Sequence, residues 1–126
     1  MIRKIRISAK TVSAQANLNE NSAADNLWEA LPLQGKANLW GDEIYFEVPL
    51  QMGEAGDART EMEVGELAFW PGGIAFCIFF GPTPVSSDDI PIAYSKVNPL
   101  GQIEGDSTIF RRVGHGEIIR IERIVS

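Results

Sequence analysis

Apolar and polar side chains alternate along most of this chain. In Ile2–Ser8, Ile5 and Ile7 fall on one face and Lys4, Arg6 and Ser8 on the other, the period of a half-buried strand. Thr11–Leu18 repeats the pattern, with Val12, Ala14, Ala16 and Leu18 on one side. Ala9-Lys10 between the two runs predicts a hairpin. The period then changes. Ala24, Leu27, Trp28 and Leu31 recur at i, i+3, i+4 and i+7, one stripe of a helix that the polar run Asn19–Ser22 can cap and that stops before Pro32.

Strand patterning resumes from Ala37. Glu43–Val48 places Ile44, Phe46 and Val48 on one face and Glu43, Tyr45 and Glu47 on the other, and Pro49 ends it. Gln51–Ala58 is Gly-rich and polar, the signature of a long mobile loop. Arg59–Val64 alternates with Met62 and Val64 expected inward, Gly65-Glu66 turns the chain, and Leu67–Trp70 forms a short strand. Pro71-Gly72-Gly73 is a turn, and Ile74–Phe80 is apolar throughout, so both of its faces must be covered. Gly81–Pro91, with three prolines, reads as a loop, and Tyr94–Glu104 as a strand interrupted at Pro99. Asp106 or Ser107 caps a short helix that presents Ile109, Phe110 and Val113 and ends at Gly114; Glu117–Val125 is the last strand. About eight short strands with Gly/Pro turns predict a mainly β fold, a sandwich or a barrel. No repeat, linker or low-complexity tract divides the 126 residues, so a single domain, 1–126, is expected.

Charge narrows the partners. The chain carries 11 Lys plus Arg against 17 Asp plus Glu, a net charge of −6, and its basic residues are scattered. A phosphate-binding face needs clustered cations, so nucleic acid is not an expected partner. No stretch approaches the ~18 apolar residues of a membrane span, and Met1–Ser8 lacks the apolar core of a signal peptide. Cytoplasmic residence is the resulting expectation, as a monomer or homodimer. The lone Cys77 forbids an internal disulfide and lies in the apolar run; a buried, inert thiol is expected. A nucleophilic role would need a histidine, and the only one is His115, in the turn Gly114-His115-Gly116.

The chain lacks the phosphate-loop, dinucleotide, zinc-protease and nucleophile-elbow motifs. Too few nitrogen and sulfur ligands are present for a zinc site, and the carboxylates do not follow calcium-loop spacing. No metal and no cofactor are expected. What remains is a concentration of aromatics around Gly and Pro turns. Phe46, Phe69 and Phe76 read as core. Trp70, before Pro71-Gly72-Gly73, and Trp40, before Gly41, stand at strand ends, where an aromatic either packs or lines a groove. Glu43 lies among them; it is either an ordinary strand-edge charge or a carboxylate beside aromatic surface, able to bind a cation or to serve as acid or base.

Three segments carry a resemblance: Trp40-Gly41-Asp42-Glu43-Ile44-Tyr45-Phe46, Gly65-Glu66-Leu67-Ala68-Phe69-Trp70-Pro71-Gly72 and Ala75-Phe76-Cys77-Ile78-Phe79-Phe80-Gly81-Pro82-Thr83-Pro84. The chain resembles the small prokaryotic cyclophilin-like proteins of unknown function over nearly its whole length. It departs at Pro71-Gly72, where that family more often has two prolines. The resemblance implies a closed eight-stranded antiparallel barrel with one main helix and one short helix. It also raises prolyl isomerisation, which in cyclophilins relies on an aromatic floor, an arginine from a Phe-His-Arg segment and a glutamine. Hydrogen-bond donation to the prolyl nitrogen weakens the resonance behind a barrier of ~20 kcal/mol. This chain has no Phe-His-Arg segment. Phe79-Phe80 resembles the Phe-Phe of a cyclophilin strand, but Cys77 and Ile78 precede it where polar residues would stand, and Arg59 is the one arginine expected near that face.

The expected function is therefore binding of a small molecule or short peptide in an aromatic-walled groove of Trp40, Tyr45, Trp70, Phe79 and Phe80, with Glu43 and Arg59 as polar anchors. The alternatives are a weak peptidyl-prolyl isomerase, or an enzyme using Glu43 as acid or base.

Overall fold

The computed structural model describes residues 3–125; Ile2, read above as part of the first strand, lies outside them. The chain runs through β1 (Lys4–Ser8), β2 (Ser13–Leu18), helix α1 (Ser22–Ala30), β3 (Leu33–Lys36), β4 (Asn38–Leu39), β5 (Glu43–Glu47), β6 (Arg59–Glu61), β7 (Glu66–Trp70), β8 (Ala75–Phe79), β9 (Ile92–Ile103), a 3₁₀ helix (Ser107–Arg112) and β10 (Ile118–Ile124). The fold is mainly β and antiparallel, with two helices, as the periodicity requires. Ten strands form instead of about eight, because β4 is a piece of two residues too short to leave a periodic signal and because Leu33–Lys36 pairs with β10; of the alternating run Arg59–Val64 only Arg59–Glu61 forms strand β6.

The sheet order is β3-β10-β1-β2-β9-β7-β8-β5-β4, with β6 paired to β9 off this path. Its two end strands, β3 and β4, are joined in the chain by Ala37 alone, so the sheet curls until its edges are neighbours. No hydrogen-bonded ladder links β3 to β4 among the described residues. The closed ladder of the expected barrel is thus replaced by an abrupt strand-to-strand passage.

Ile5, Ile7, Ile44, Phe46, Phe76, Ile78, Ile119 and Ile121 fill the concave side as one buried cluster. Helix α1 covers part of it with Ala24 and Leu27. Asn21 caps the helix by accepting from the Ala24 amide at 2.8 Å, a contact that typically stabilises a helix by about 1 kcal/mol. Arg123 donates to the Trp28 carbonyl at 2.7 and 3.0 Å and stacks its guanidinium over the indole, reinforcing a helix end where the same carbonyl also accepts from the Leu31 amide at 3.3 Å.

The opposite face of β5, β8 and β7 is also covered. The register of β9 against β7 slips by a residue at Leu100, between the pairs Leu67–Gly101 and Ala68–Pro99; proline, with no amide proton to donate, is tolerated beside such a bulge. Its first half, before Asn98, is not paired with β7; it pairs with β6 and packs on β8. Cys77, Phe79, Ala68, Met62, Ala93 and Val97 form a second buried cluster there. This is how the apolar run of β8 is buried on both sides. Full burial of a side chain like Phe79 contributes about 2–3 kcal/mol.

Two expectations fail at turns. Val64 was expected inward but is 47% exposed, because the chain already turns at Glu63–Glu66 (Glu66 amide to Glu63 carbonyl, 3.1 Å) around Gly65 at φ 91°. Ile74 was expected in the apolar strand but is 53% exposed, at φ 50°. It ends the Pro71 turn in a left-handed conformation that a β-branched residue rarely adopts. The loop read as mobile is held at its middle: buried Asn98 accepts from the Ala55 amide at 2.8 Å and donates to the Gly53 carbonyl at 2.9 Å.

Candidate functional site

The site lies between the outer face of β5 and the first half of β9. Its fixed point is the β4–β5 hairpin. Trp40 and Glu43 exchange backbone hydrogen bonds of 2.9 and 3.2 Å across the two-residue turn Gly41-Asp42. Gly41 has φ 61°, which suits glycine, and a Cβ there would sit 2.9 Å from the backbone and side chain of Pro82–Pro84. The Asp42 amide donates to the Pro82 carbonyl, and its carboxylate accepts from Arg111 Nε and Nη2 at 3.1 and 3.0 Å. The hairpin tip is thereby held between the Gly81–Pro91 loop and the 3₁₀ helix.

Alternation along β5 then decides which side chains face the site. Ile44 and Phe46 enter the main core, so Glu43 and Tyr45 point the other way. Trp70 arrives at the end of β7. Its indole lies against the following turn, where a Cβ on Gly73 would come within 2.4 Å of the ring. Its Nε1–H donates to Ser95 Oγ on β9 at 2.6 Å. The first half of β9 brings Ala93, Tyr94 and Val97.

These residues enclose a cavity of about 240 Å³, lined by Trp40, Glu43, Tyr45, Trp70, Ala93, Tyr94 and Val97. Its aromatic wall is continuous. Tyr45 meets Trp70 at 6.0 Å and 90°, Trp70 meets Tyr94 at 5.9 Å and 69°, and Tyr94 meets Trp40 at 6.0 Å and 77° between ring planes. Edge-to-face contacts of this kind each contribute about 0.5–1.5 kcal/mol beyond burial and hold the rings in place. Tyr94, 73% exposed, stands at the mouth.

Glu43 is the polar centre and is only 5% exposed. Burial pushes its pKa from 4.5 up to about 7, against a smaller opposing effect of its contact with the Cys77 thiol. The same burial, with the carboxylate beside it, pushes the Cys77 thiol well up, so no thiolate is available there. Among the described residues no Lys, Arg or His pairs with Glu43. Nor does any group of three His, Cys, Asp or Glu among them have the arrangement to hold a metal ion.

The structure brings together four of the seven residues singled out in the sequence: Trp40, Glu43, Tyr45 and Trp70. Phe79 lies beneath the cavity in the second cluster, and Phe80 is in the main core beside Phe110. Arg59 is turned elsewhere, its guanidinium held by buried Glu66 through contacts of 3.0 and 2.5 Å. Sequence reasoning missed Tyr94, Ala93 and Val97. The signal for Tyr94 was a strand aromatic followed by polar Ser95 and Lys96, which marks an exposed ring without saying what it faces.

Comparison with known proteins agrees with the fold. No curated protein matches the chain. The solution structure of a hypothetical protein from Archaeoglobus fulgidus is similar at a TM-score of 0.83 and 31% identity, over 98% of this chain and 95% of that one. No helix among the described residues is long and apolar enough to cross a membrane. The family model described as Cyclophilin-like matches residues 3–122, and the chain belongs to that family.

Proposed function

We propose that this protein binds a small molecule in the cavity between β5 and β9. The observation that carries the reading is the convergence of four aromatic rings on one buried carboxylate. A few placed polar groups in an apolar, concave wall are the usual composition of a ligand site. At about 240 Å³ the cavity lies below the ~300–1,000 Å³ typical of drug-sized ligands, which favours a metabolite-sized molecule, or one residue of a peptide, over an extended peptide. A metabolite library read by thermal shift and tryptophan fluorescence tests this. Hits are expected to lose their response in Trp70→Ala and in Tyr94→Ala. The exposed ring of Tyr94 makes the second variant a control for lost folding. Hits that survive both substitutions would refute the reading.

A second reading has one specific support. A carboxyl group with a pKa of about 7 both gives and takes a proton at neutral pH, the property a general acid or base needs. Under it, Glu43→Gln would bind a hit normally but turn none over. Prolyl isomerisation has no such support, because the Arg59 guanidinium is engaged by Glu66.

A further inference from the structure

We propose that the ligand of this cavity is a small organic cation, an alkylated ammonium of a few carbons, held against the rings of Trp40, Tyr45, Trp70 and Tyr94 with Glu43 as its counter-charge. This rests on the binding reading above and names the class of molecule bound.

The first argument is charge. Glu43 is enclosed in the cavity wall without a cationic partner among the described residues. The nearby ionic groups are satisfied elsewhere: Asp42 by Arg111, Glu66 by Arg59, and Lys96 by Glu54. Of the titratable groups on the elements packed around Glu43, those at the cavity are Cys77 on β8, Tyr45 on β5 and Tyr94 on β9, none of them a cation; Glu47 on β5, Glu66 on β7 and Lys96 on β9 are outside its lining, and β4 contributes only Asn38 and Leu39. An anion entering this site would meet a carboxylate with nothing to offset it. A neutral ligand would bury the carboxylate further from water without replacing its solvation. A cation supplies the missing charge.

The second argument is the wall itself. The face of an aromatic ring carries negative quadrupolar potential and attracts cations within about 6 Å of its centre, indole most strongly. Two of the four rings are indoles. Successive rings are inclined by 90°, 69° and 77°, so they bend around a compact convex group. A flat aromatic ligand would instead need a slot between parallel rings. Trp70 Nε1–H is engaged by Ser95, so this indole lines the cavity without a free N–H donor to offer a ligand. That favours an alkylated ammonium, which presents methyl groups, over a primary amine that must place three donors.

The two arguments together set a pH dependence. Bound cation requires the ionised form of Glu43, so binding releases a proton below the pKa of about 7. Affinity therefore rises with pH and levels off above that value.

Calorimetry with choline and its uncharged isostere 3,3-dimethylbutan-1-ol decides the matter. Measured at about pH 6 and about pH 8.5, choline is expected to bind about tenfold more tightly at the higher pH, following the ionised fraction of Glu43. The isostere should bind at least tenfold more weakly than choline at the higher pH and show no such gain. Glu43→Gln should abolish the pH dependence and bring choline down to the level of its isostere, while Tyr94→Ala weakens choline at both pH values. Equal binding of choline and the isostere would overturn the cation assignment and leave small-molecule binding standing. If neither binds, the cation assignment falls, and the library screen above separately decides the broader reading.

Discussion

Glu43 should make this protein less stable as pH rises, the reverse of what a salt-bridged carboxylate does. In the unfolded chain its carboxyl has an ordinary value of 4.5; in the fold, burial raises it to about 7. Between those values the folded protein keeps a proton that the unfolded chain has released. The contribution to stability is therefore fully present below pH 4.5, declines as pH climbs through the window, and is gone above about pH 7. The displacement corresponds to about 3 kcal/mol, a large share of the ~5–15 kcal/mol that holds a typical domain folded. Replacing Glu43 by Gln keeps its size and polarity and removes the titration. Urea unfolding of both proteins from about pH 4.5 to about pH 8 isolates the effect, because Glu104 and Asp106, whose values are lowered by Lys4 and Thr108, titrate alike in both. The Gln variant should gain on the wild type by about 3 kcal/mol over this range, a difference of on the order of 1–2 M in urea midpoint at unchanged m-value. Parallel stability profiles would show that Glu43 is solvated or paired in solution and would remove the electrostatic basis of the site.

Two further outcomes follow from the surroundings of the cavity. Arg59→Ala leaves the Glu66 carboxylate buried without its partner and should cost about 1–3 kcal/mol in chemical denaturation, while cavity ligands keep their affinity and a proline-peptide assay stays at the uncatalysed rate for both proteins; isomerase activity lost with Arg59 would contradict this placement. Gly73→Ala inserts a methyl group where the Trp70 ring lies; it should cost about 1–3 kcal/mol, shift Trp70 fluorescence and weaken cavity binding, and an unchanged emission spectrum would show that the turn does not seat the indole.

Local patterning was legible wherever one face of an element meets water. The alternation of Ile5 and Ile7 with Lys4 and Arg6, the stripe of Ala24, Leu27 and Leu31, and the opposed sides of Ile44 and Tyr45 all appear in the structure as read. These features depend on the fixed periods of strand and helix, which any stretch of sequence displays by itself. The pairing of Glu43 with aromatics was visible for the same reason: Trp40, Glu43 and Tyr45 are close in sequence and separated by one tight turn.

Where both faces are buried, the period carries no direction. Cys77 and Phe79 on β8 are as apolar as Phe76 and Ile78, and only the first half of β9, which pairs with β6 instead of β7, decides that the former pack in a second cluster. The same half of β9 also carries Tyr94 to Trp40 and Trp70, residues distant in the chain, and so completes a wall no local pattern contains. Arg59 shows the converse: its charge suggested an anchor for the site, yet the turn at Gly65 places Glu66 within its reach and turns it away. The sequence by itself determined most of the elements, most of their inward faces and three of the four rings of the aromatic wall, since these are set by neighbours along the backbone. The tertiary structure alone decided which rings meet, which carboxylate is left unpaired and how far its proton affinity rises, because burial and charge depend on what the curled sheet brings together from afar.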